Sequence, residues 1–134
     1  MRAVDTNFLV RYAVGDEPRQ VRLVERILDE CAATGEQVYI PVPVLCELLW
    51  VLERTYRQTK AEIVFTLEGL LGVALFQFEQ YPAVHRALAQ YQRGRAGLTD
   101  YLIGELAAQA GCRDTVTFDR GLQGAPGFTL LKTT

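Results

Sequence analysis

Short apolar segments alternate along the chain with longer stretches of helical periodicity, and this alternation restricts the possible folds more than any other feature. The apolar segments have strand length, whereas the amphipathic stretches between them have helix length. This order predicts an α/β fold, in which helices cover both faces of a parallel sheet. The predicted strands are residues 2–5, 37–40, 73–76, 115–118 and 128–131.

The predicted helix boundaries follow from proline, glycine and capping residues. Pro18 and Pro82 suit the first turn of a helix. The backbone N–H that proline lacks would have no hydrogen-bond partner within the helix at this position. Thr99 is the predicted N-cap of the last long helix, and Gly111 ends that helix. The predicted helices are residues 7–14, 18–34, 44–56, 59–71, 82–92 and 100–110.

The size and charge of the chain limit its class. Its 134 residues predict one domain, residues 1–134, with a single hydrophobic core. A net charge of −2 argues against a protein that coats nucleic acid by bulk charge. The longest apolar run, residues 70–76, is too short to span a bilayer, and a strand directly after Met1 leaves no room for a signal peptide. We therefore expect a cytoplasmic protein without a membrane partner.

Cysteine and histidine do not form a metal-binding pattern. The three cysteines are widely spaced, which predicts buried free thiols in a reducing compartment. The single histidine, His85, lies on a predicted helix, and no CxxC pair accompanies it. A zinc site is therefore not expected.

Four acidic residues stand out because they border apolar segments. Asp5 and Asp119 each end a predicted strand. Glu47 lies within an apolar helical run, and Asp100 opens the last long helix. In an open parallel sheet, sites form beyond the carboxyl ends of the strands. By this topology four segments each bring one carboxylate to the same edge.

Such a cluster requires compensation of its charge. Two carboxylates about 4 Å apart repel by roughly 4 kcal/mol at an effective dielectric near 20. Protonation or bound cations relieve this repulsion. Oxygen ligands without histidine or thiolate favour Mg²⁺ or Mn²⁺, which can assist water in attacking a phosphodiester. The alternative for each acid taken singly is a helix cap or an exposed charge.

The segments around these acids carry a resemblance to a known family. They are Val4–Asn7, the apolar helix around Glu47, Leu98–Ile103 and Thr117–Asp119. In this order and spacing the chain resembles PIN-domain ribonucleases, and within them it looks like a VapC-type toxin of a toxin–antitoxin pair. The resemblance implies a three-layer α/β/α fold with a five-stranded parallel sheet in the order 3-2-1-4-5. It also implies an Mg²⁺- or Mn²⁺-dependent endoribonuclease that cuts RNA, forms a homodimer and binds a small cognate antitoxin protein.

The resemblance also assigns roles to individual residues. The catalytic acids and metal ligands would be Asp5, Glu47, Asp100 and Asp119. The polar residues that contact substrate or orient ligands would be Thr6, Asn7 and Thr117. Tyr101 departs from the family, in which a small residue is commoner at this position, and it would narrow the approach to Asp100.

Other classes of function remain open at this point. A signalling receiver domain also gathers acids at a sheet edge, but it needs an Asp after the third strand, where this chain has Gln77-Phe78-Glu79. A non-toxin PIN nuclease in RNA processing is one alternative. A catalytically silent module that binds RNA or a partner protein is another.

Two further sets of residues allow more than one interpretation. Arg93 and Arg95 flank Gly94 shortly before Asp100, and they could either contact phosphate or remain solvated. Trp50 belongs to an apolar stripe that could form a dimer or antitoxin surface or pack in the core.

Overall fold

The structure is a computed structural model that describes residues 1–133. Thr134, the last residue of the predicted single domain, lies outside the described residues. The chain divides into two compact units, an N-terminal unit of Met1–Glu79 and a C-terminal unit that begins at Gln80.

The N-terminal unit combines helices with a parallel sheet. Its elements are β1 (Arg2–Ala3), α1 (Thr6–Val14), α2 (Pro18–Thr34), β2 (Val38–Ile40), α3 (Val42–Arg54), α4 (Lys60–Leu71) and β3 (Phe76–Phe78). The strands are parallel and have the order β1-β2-β3. Ala3 pairs with Tyr39, and Tyr39 pairs with Gln77. The carboxyl ends of all three strands therefore lie at one edge of this sheet.

Leucine side chains form much of the core of the N-terminal unit. Leu9 of α1, Leu48 and Leu52 of α3 and Leu67 of α4 have no exposed surface. Burial of each such side chain contributes roughly 1.5–3 kcal/mol relative to exposure. The helix that follows β1, α1, packs against the helix that follows β2, α3.

The start of α3 shows how proline shaped the element boundaries. Pro41 is the N-cap, and Pro43 lies in the first turn, where its missing N–H leaves no helical bond unmade. The helix therefore begins at Val42, two residues before the predicted start at Val44.

The predicted third strand was misplaced. Residues 73–76 were expected to be extended, but Val73 donates its N–H to Leu70 O and accepts from Phe76 N, so the chain turns here. The strand begins at Phe76 and alternates a buried Phe76, an exposed Gln77 and a buried Phe78. This period of two is the ordinary signature of a strand.

The C-terminal unit contains two long helices and a pair of parallel strands. Its elements are α5 (Tyr81–Arg93), α6 (Leu98–Gln109), β4 (Thr115–Thr117), a short 3-10 helix (Arg120–Leu122) and β5 (Phe128–Leu130). Apolar residues of α5 and α6 pack against each other, among them the fully buried Val84 and Leu102. Glu105 of α6 accepts hydrogen bonds from Arg86 and Gln90 of α5. Thr115 of β4 pairs with Phe128 of β5.

The start of α6 also differs from the prediction. Gly97, and not Thr99, is the N-cap, and the helix begins at Leu98. Gly97 has no side chain to satisfy the first N–H groups. The carboxylate of Asp100 satisfies the N–H of Gly97 itself, from which it accepts a hydrogen bond at 3.0 Å.

The predicted α/β class with parallel strands is confirmed. The order β1-β2-β3 and the pairing of β4 with β5 both agree with parts of the expected 3-2-1-4-5 arrangement. The five-stranded order and the single domain stay predictions. Within residues 1–133, no helix is both long and apolar enough to cross a bilayer. The cysteines are free as predicted, but Cys112 is exposed and not buried.

Candidate active site

Asp5 lies two residues beyond the end of β1 at Ala3, at the carboxyl edge of the three-stranded sheet. It is the N-cap of α1, and its Oδ1 accepts a hydrogen bond from the N–H of Phe8 at 3.2 Å. The side chain is exposed, and a carboxylate has lone pairs for several partners. Asp5 therefore does act as a cap, as the alternative interpretation held, and it retains oxygen acceptors for a cation.

The two polar residues after Asp5 lie in the first turn of α1. Thr6 is buried, with 9% of its surface exposed, whereas Asn7 is exposed. Of the two, only Asn7 offers its side chain freely to a substrate.

Glu47 lies in α3, five residues after the first helical position at Val42. At 1.5 Å per residue this is about 7–8 Å along the helix from its start at the sheet edge. The side chain is exposed, although the neighbouring Leu45 and Leu48 are buried. Helical periodicity therefore turns Glu47 outward from its apolar run. Its carboxylate has no hydrogen bond or ion pair with any other residue of the described part of the chain.

Sequence reasoning missed one acid at this edge, Glu79. It follows β3, is half-buried, and accepts from the N–H of Val42 at 2.7 Å through Oε1. Its own N–H donates to Ile40 O at 2.9 Å. Burial raises the pKa of the Tyr39 phenol, and the charge and hydrogen bond of Glu79 raise that pKa further. Glu79 thereby fixes the start of α3, the helix that carries Glu47; an acid directly after an alternating strand was the available signal.

Asp100 and Asp119 lie in the C-terminal unit, and each carboxylate accepts a hydrogen bond from a nearby backbone N–H. Asp100 Oδ2 accepts from Gly97, and the side chain is half-exposed. Asp119 Oδ1 accepts from Gly121 at 2.8 Å, and this side chain is exposed. The N–H of Asp119 donates to the hydroxyl of Thr117 at 3.0 Å. Thr117 therefore fixes the backbone that presents Asp119.

The loop between α5 and α6 lies next to both of these acids. Its end, Gly97, is bonded to Asp100. Its middle lies against Gly121, because a Cβ added to Gly121 would stand 3.5 Å from Ala96 N and 3.1 Å from Asp119 Oδ1. Asp100 and Asp119 thus flank one short loop of the C-terminal unit.

Tyr101, the departure from the family pattern, has a role in this loop. Only 4% of its surface is exposed, and its hydroxyl accepts a hydrogen bond from the N–H of Ala96 at 3.3 Å. A side chain at Gly94 would overlap the same hydroxyl. Tyr101 is thus an anchor for the loop next to Asp100.

A concave surface of about 500 Å³ lies in the C-terminal unit next to Asp119 in the chain. Phe118 contributes an aromatic side chain that is 70% exposed, and Arg120 and Lys132 contribute positive charge. Exposed aromatic rings beside cations suit the bases and phosphates of single-stranded nucleic acid.

A second groove, of about 330 Å³, lies between α1 and α2 in the N-terminal unit. Its lining is mainly apolar and includes Phe8, Val24 and the exposed Leu23. Arg11 is one of the polar residues of the lining. A surface of this composition suits an apolar segment of another protein.

The metal-binding expectation has a chemical and a geometric part. The four acids offer hard oxygen donors without histidine or thiolate, which fits Mg²⁺ or Mn²⁺. Among the described residues, no three His, Cys, Asp or Glu side chains are grouped closely enough to hold a metal ion. Convergence of all four acids stays a prediction.

Comparison with protein families places the chain. The model of the PIN domain matches residues 2–127. The chain belongs to the PIN-domain family. This PIN-domain chain is also similar to a VapC ribonuclease of Aquifex aeolicus (strain VF5), with 28% identity over 120 residues, 90% of this chain and 88% of the relative. The resemblance drawn from the four motifs is thus confirmed, and all four acids lie within the matched segment.

Proposed function

We propose that this PIN-domain chain is an endoribonuclease that hydrolyses RNA phosphodiester bonds with the help of Mg²⁺ or Mn²⁺. The observation that carries the proposal is the position of Asp100 and Asp119 on either side of one loop, in a chain matched to the PIN domain over residues 2–127. The similarity to a VapC ribonuclease supports RNA as the substrate. The exposed ring of Phe118 beside Arg120 and Lys132 gives RNA a surface next to Asp119.

The acids divide into two pairs, with Asp5 and Glu47 in the N-terminal unit and Asp100 and Asp119 in the C-terminal unit. The resemblance to PIN-domain ribonucleases assigns all four carboxylates to the divalent ion, and none of the four residues is buried. The chemistry that such an ion supplies is activation of water and neutralisation of charge on the phosphate. Thr117 would keep Asp119 in place through its hydrogen bond to the backbone. Asn7, which is exposed, would contact substrate, and the buried Thr6 would orient ligands.

Metal dependence is the first test of the proposal. Purified protein should cleave single-stranded RNA in Mg²⁺ or Mn²⁺, lose this activity in EDTA, and regain it when metal is restored. Asp5→Asn should remove the activity while preserving the cap of α1, because Asn is as good an N-cap as Asp. Cleavage at the full rate in EDTA would contradict the proposal, whereas tight RNA binding without turnover would favour a silent binding module.

The biological role proposed for this nuclease is that of the toxin in a type II toxin–antitoxin pair, acting in the cytoplasm. The similarity to a VapC ribonuclease supports this role over a nuclease of RNA processing. The apolar groove between α1 and α2 would receive the small antitoxin protein. A short reading frame beside the gene, whose product binds this chain and stops RNA cleavage, is the expected finding; cleavage that persists in the bound complex would contradict the toxin role.

A homodimer is proposed from two exposed aromatic side chains. Trp50 of α3 is 59% exposed and Phe65 of α4 is 79% exposed. The remainder of the Trp50 stripe behaves as core, because Leu49 and Leu52 are buried. Large exposed apolar side chains on adjacent helices favour contact with a second copy of the chain.

A further inference from the structure

Two arginines without an ion pair in residues 1–133 lie where α5 ends: Arg93 is the last residue of α5, and Arg95 lies in the loop before α6. Arg93 and Arg95 are both exposed, and neither guanidinium group has a hydrogen bond or ion pair with any other residue in 1–133. Arg86 of α5, by comparison, is paired with Glu105 at 2.8 Å. The loop therefore presents free positive charge in a chain whose net charge is −2.

Hydrogen bonds and the side chain of Tyr101 hold the backbone that carries these arginines. Ala96 is buried and donates its N–H to the hydroxyl of Tyr101. The N–H of Gly94 donates to Gln90 O at 2.8 Å, and the Tyr101 hydroxyl fills the space of a side chain at this glycine. A loop held in this way has lost most of its freedom before any ligand arrives, which lowers the cost of binding.

The loop also lies between two carboxylates that are proposed to act on RNA. Gly97 is bonded to Asp100, and Ala96 lies against Gly121, the partner of Asp119. Carboxylates repel the phosphates of the substrate, so guanidinium groups at this point would offset that repulsion. Arginine is suited to the task because its planar fork binds phosphate through two N–H groups.

We propose that Arg93 and Arg95 form a phosphate clamp for single-stranded RNA beside Asp100 and Asp119, and that Tyr101 is the residue that positions the clamp. This inference rests on the proposed function for the identity of the ligand. Contacts of this kind fix the register of the strand without reading its bases. The clamp therefore determines where the backbone lies relative to the acids.

The test is binding of a short, fluorescently labelled single-stranded RNA, measured by anisotropy in EDTA so that turnover does not interfere. Arg93→Ala and Arg95→Ala should each raise Kd about fivefold to tenfold. Each should also reduce the slope of log Kd against log salt by about 0.7, since one phosphate contact is lost. Arg95→Lys should keep the slope of the wild type.

Arg113→Ala is the matched control. Arg113 is an exposed arginine of the same unit that follows the far end of α6, a helix of 12 residues and about 18 Å. Its replacement should change neither Kd nor slope. A wild-type Kd and slope in the variant that lacks both Arg93 and Arg95 would overturn the clamp, as would absence of RNA binding by the wild type.

Tyr101→Phe tests the positioning role. The ring remains packed, but the acceptor for Ala96 N is lost, so the loop gains freedom. We expect KM for RNA cleavage to rise about threefold or more with kcat close to wild type, because binding weakens and the acids are untouched. A fall in kcat with unchanged KM would overturn this role.

The outcomes separate the clamp from the nuclease proposal. Weakened binding in the arginine variants together with no cleavage by the wild type supports the clamp and contradicts the nuclease. Unchanged binding together with metal-dependent cleavage overturns the clamp and leaves the nuclease proposal intact.

Discussion

The ring of Phe128 lies directly against the backbone of Gly104. A Cβ added at Gly104 would stand 2.6 Å from Cζ of Phe128, closer than any real side chain allows. Gly104 belongs to α6, which carries Asp100, and Phe128 belongs to β5, which pairs with the strand leading to Asp119. This contact therefore packs β5 against the helix that carries Asp100.

We expect Gly104→Ala to destabilise the protein by about 1–3 kcal/mol, because Phe128 would have to move. Denaturant unfolding measures the change. Gly69→Ala is the control, since Gly69 is also helical but a Cβ there meets nothing within 4 Å. This second variant should gain up to about 1 kcal/mol from helix propensity. Equal effects of the two substitutions would contradict the contact.

Tyr56 provides a prediction about pH. Its hydroxyl donates to Asp16 Oδ2 at 2.8 Å, and this hydrogen bond, with burial in second place, raises the pKa of the phenol. The stabilisation is present in full below the ordinary tyrosine pKa of about 10 and is lost as pH rises through the raised value. Tyr56→Phe should therefore cost about 1 kcal/mol at neutral pH. The difference in unfolding free energy from wild type should disappear above the raised pKa; a difference that persists there would contradict the assignment.

Glu79 is expected to matter for the position of α3. Glu79→Ala removes the acceptor of the Val42 N–H and should cost about 1–3 kcal/mol. Glu79→Gln keeps an oxygen acceptor and should retain most of the stability. The measurement is the thermal unfolding midpoint of each variant. An Ala variant as stable as the Gln variant would show that the hydrogen bond contributes little to stability.

The proposed homodimer can be tested at Trp50 and Phe65. Replacement of both by Ser should shift the mass measured by light scattering from dimer to monomer, because large apolar area no longer leaves water on association. Lys60→Ala, on the polar start of α4, is a control that should leave the mass unchanged. A wild-type protein that is monomeric at high concentration would contradict the dimer.

Much of the fold could be predicted because strands and helices differ in period. The period of two in Phe76-Gln77-Phe78 was present in the sequence, yet the apolar residues 73–76 just before it made an equally good strand. The hydrogen bonds of a turn at Val73 exclude a strand over residues 73–76. The apolar content of a segment does not predict such hydrogen bonds.

The candidate site was predictable in its residues more than in their surroundings. Asp5 and Asp119 follow strands as expected, and Asp100 opens a helix, although Gly97 and not Thr99 caps it. Glu47 lies within an apolar run of the sequence, but the rotation of the helix leaves its side chain exposed. The anchoring of the loop by Tyr101 depends on a contact in three dimensions that the sequence pattern does not contain.

The most direct test of the account is the rate of metal-dependent RNA cleavage by Asp100→Asn. Asn can still accept the N–H of Gly97, so the start of α6 and the unfolding midpoint should be unchanged. The negative charge proposed to hold the divalent ion is lost, and the rate in Mn²⁺ should fall about a hundredfold or more. A folded Asp100→Asn protein that cleaves RNA at the wild-type rate would show that this acid is only a cap, and would contradict the account.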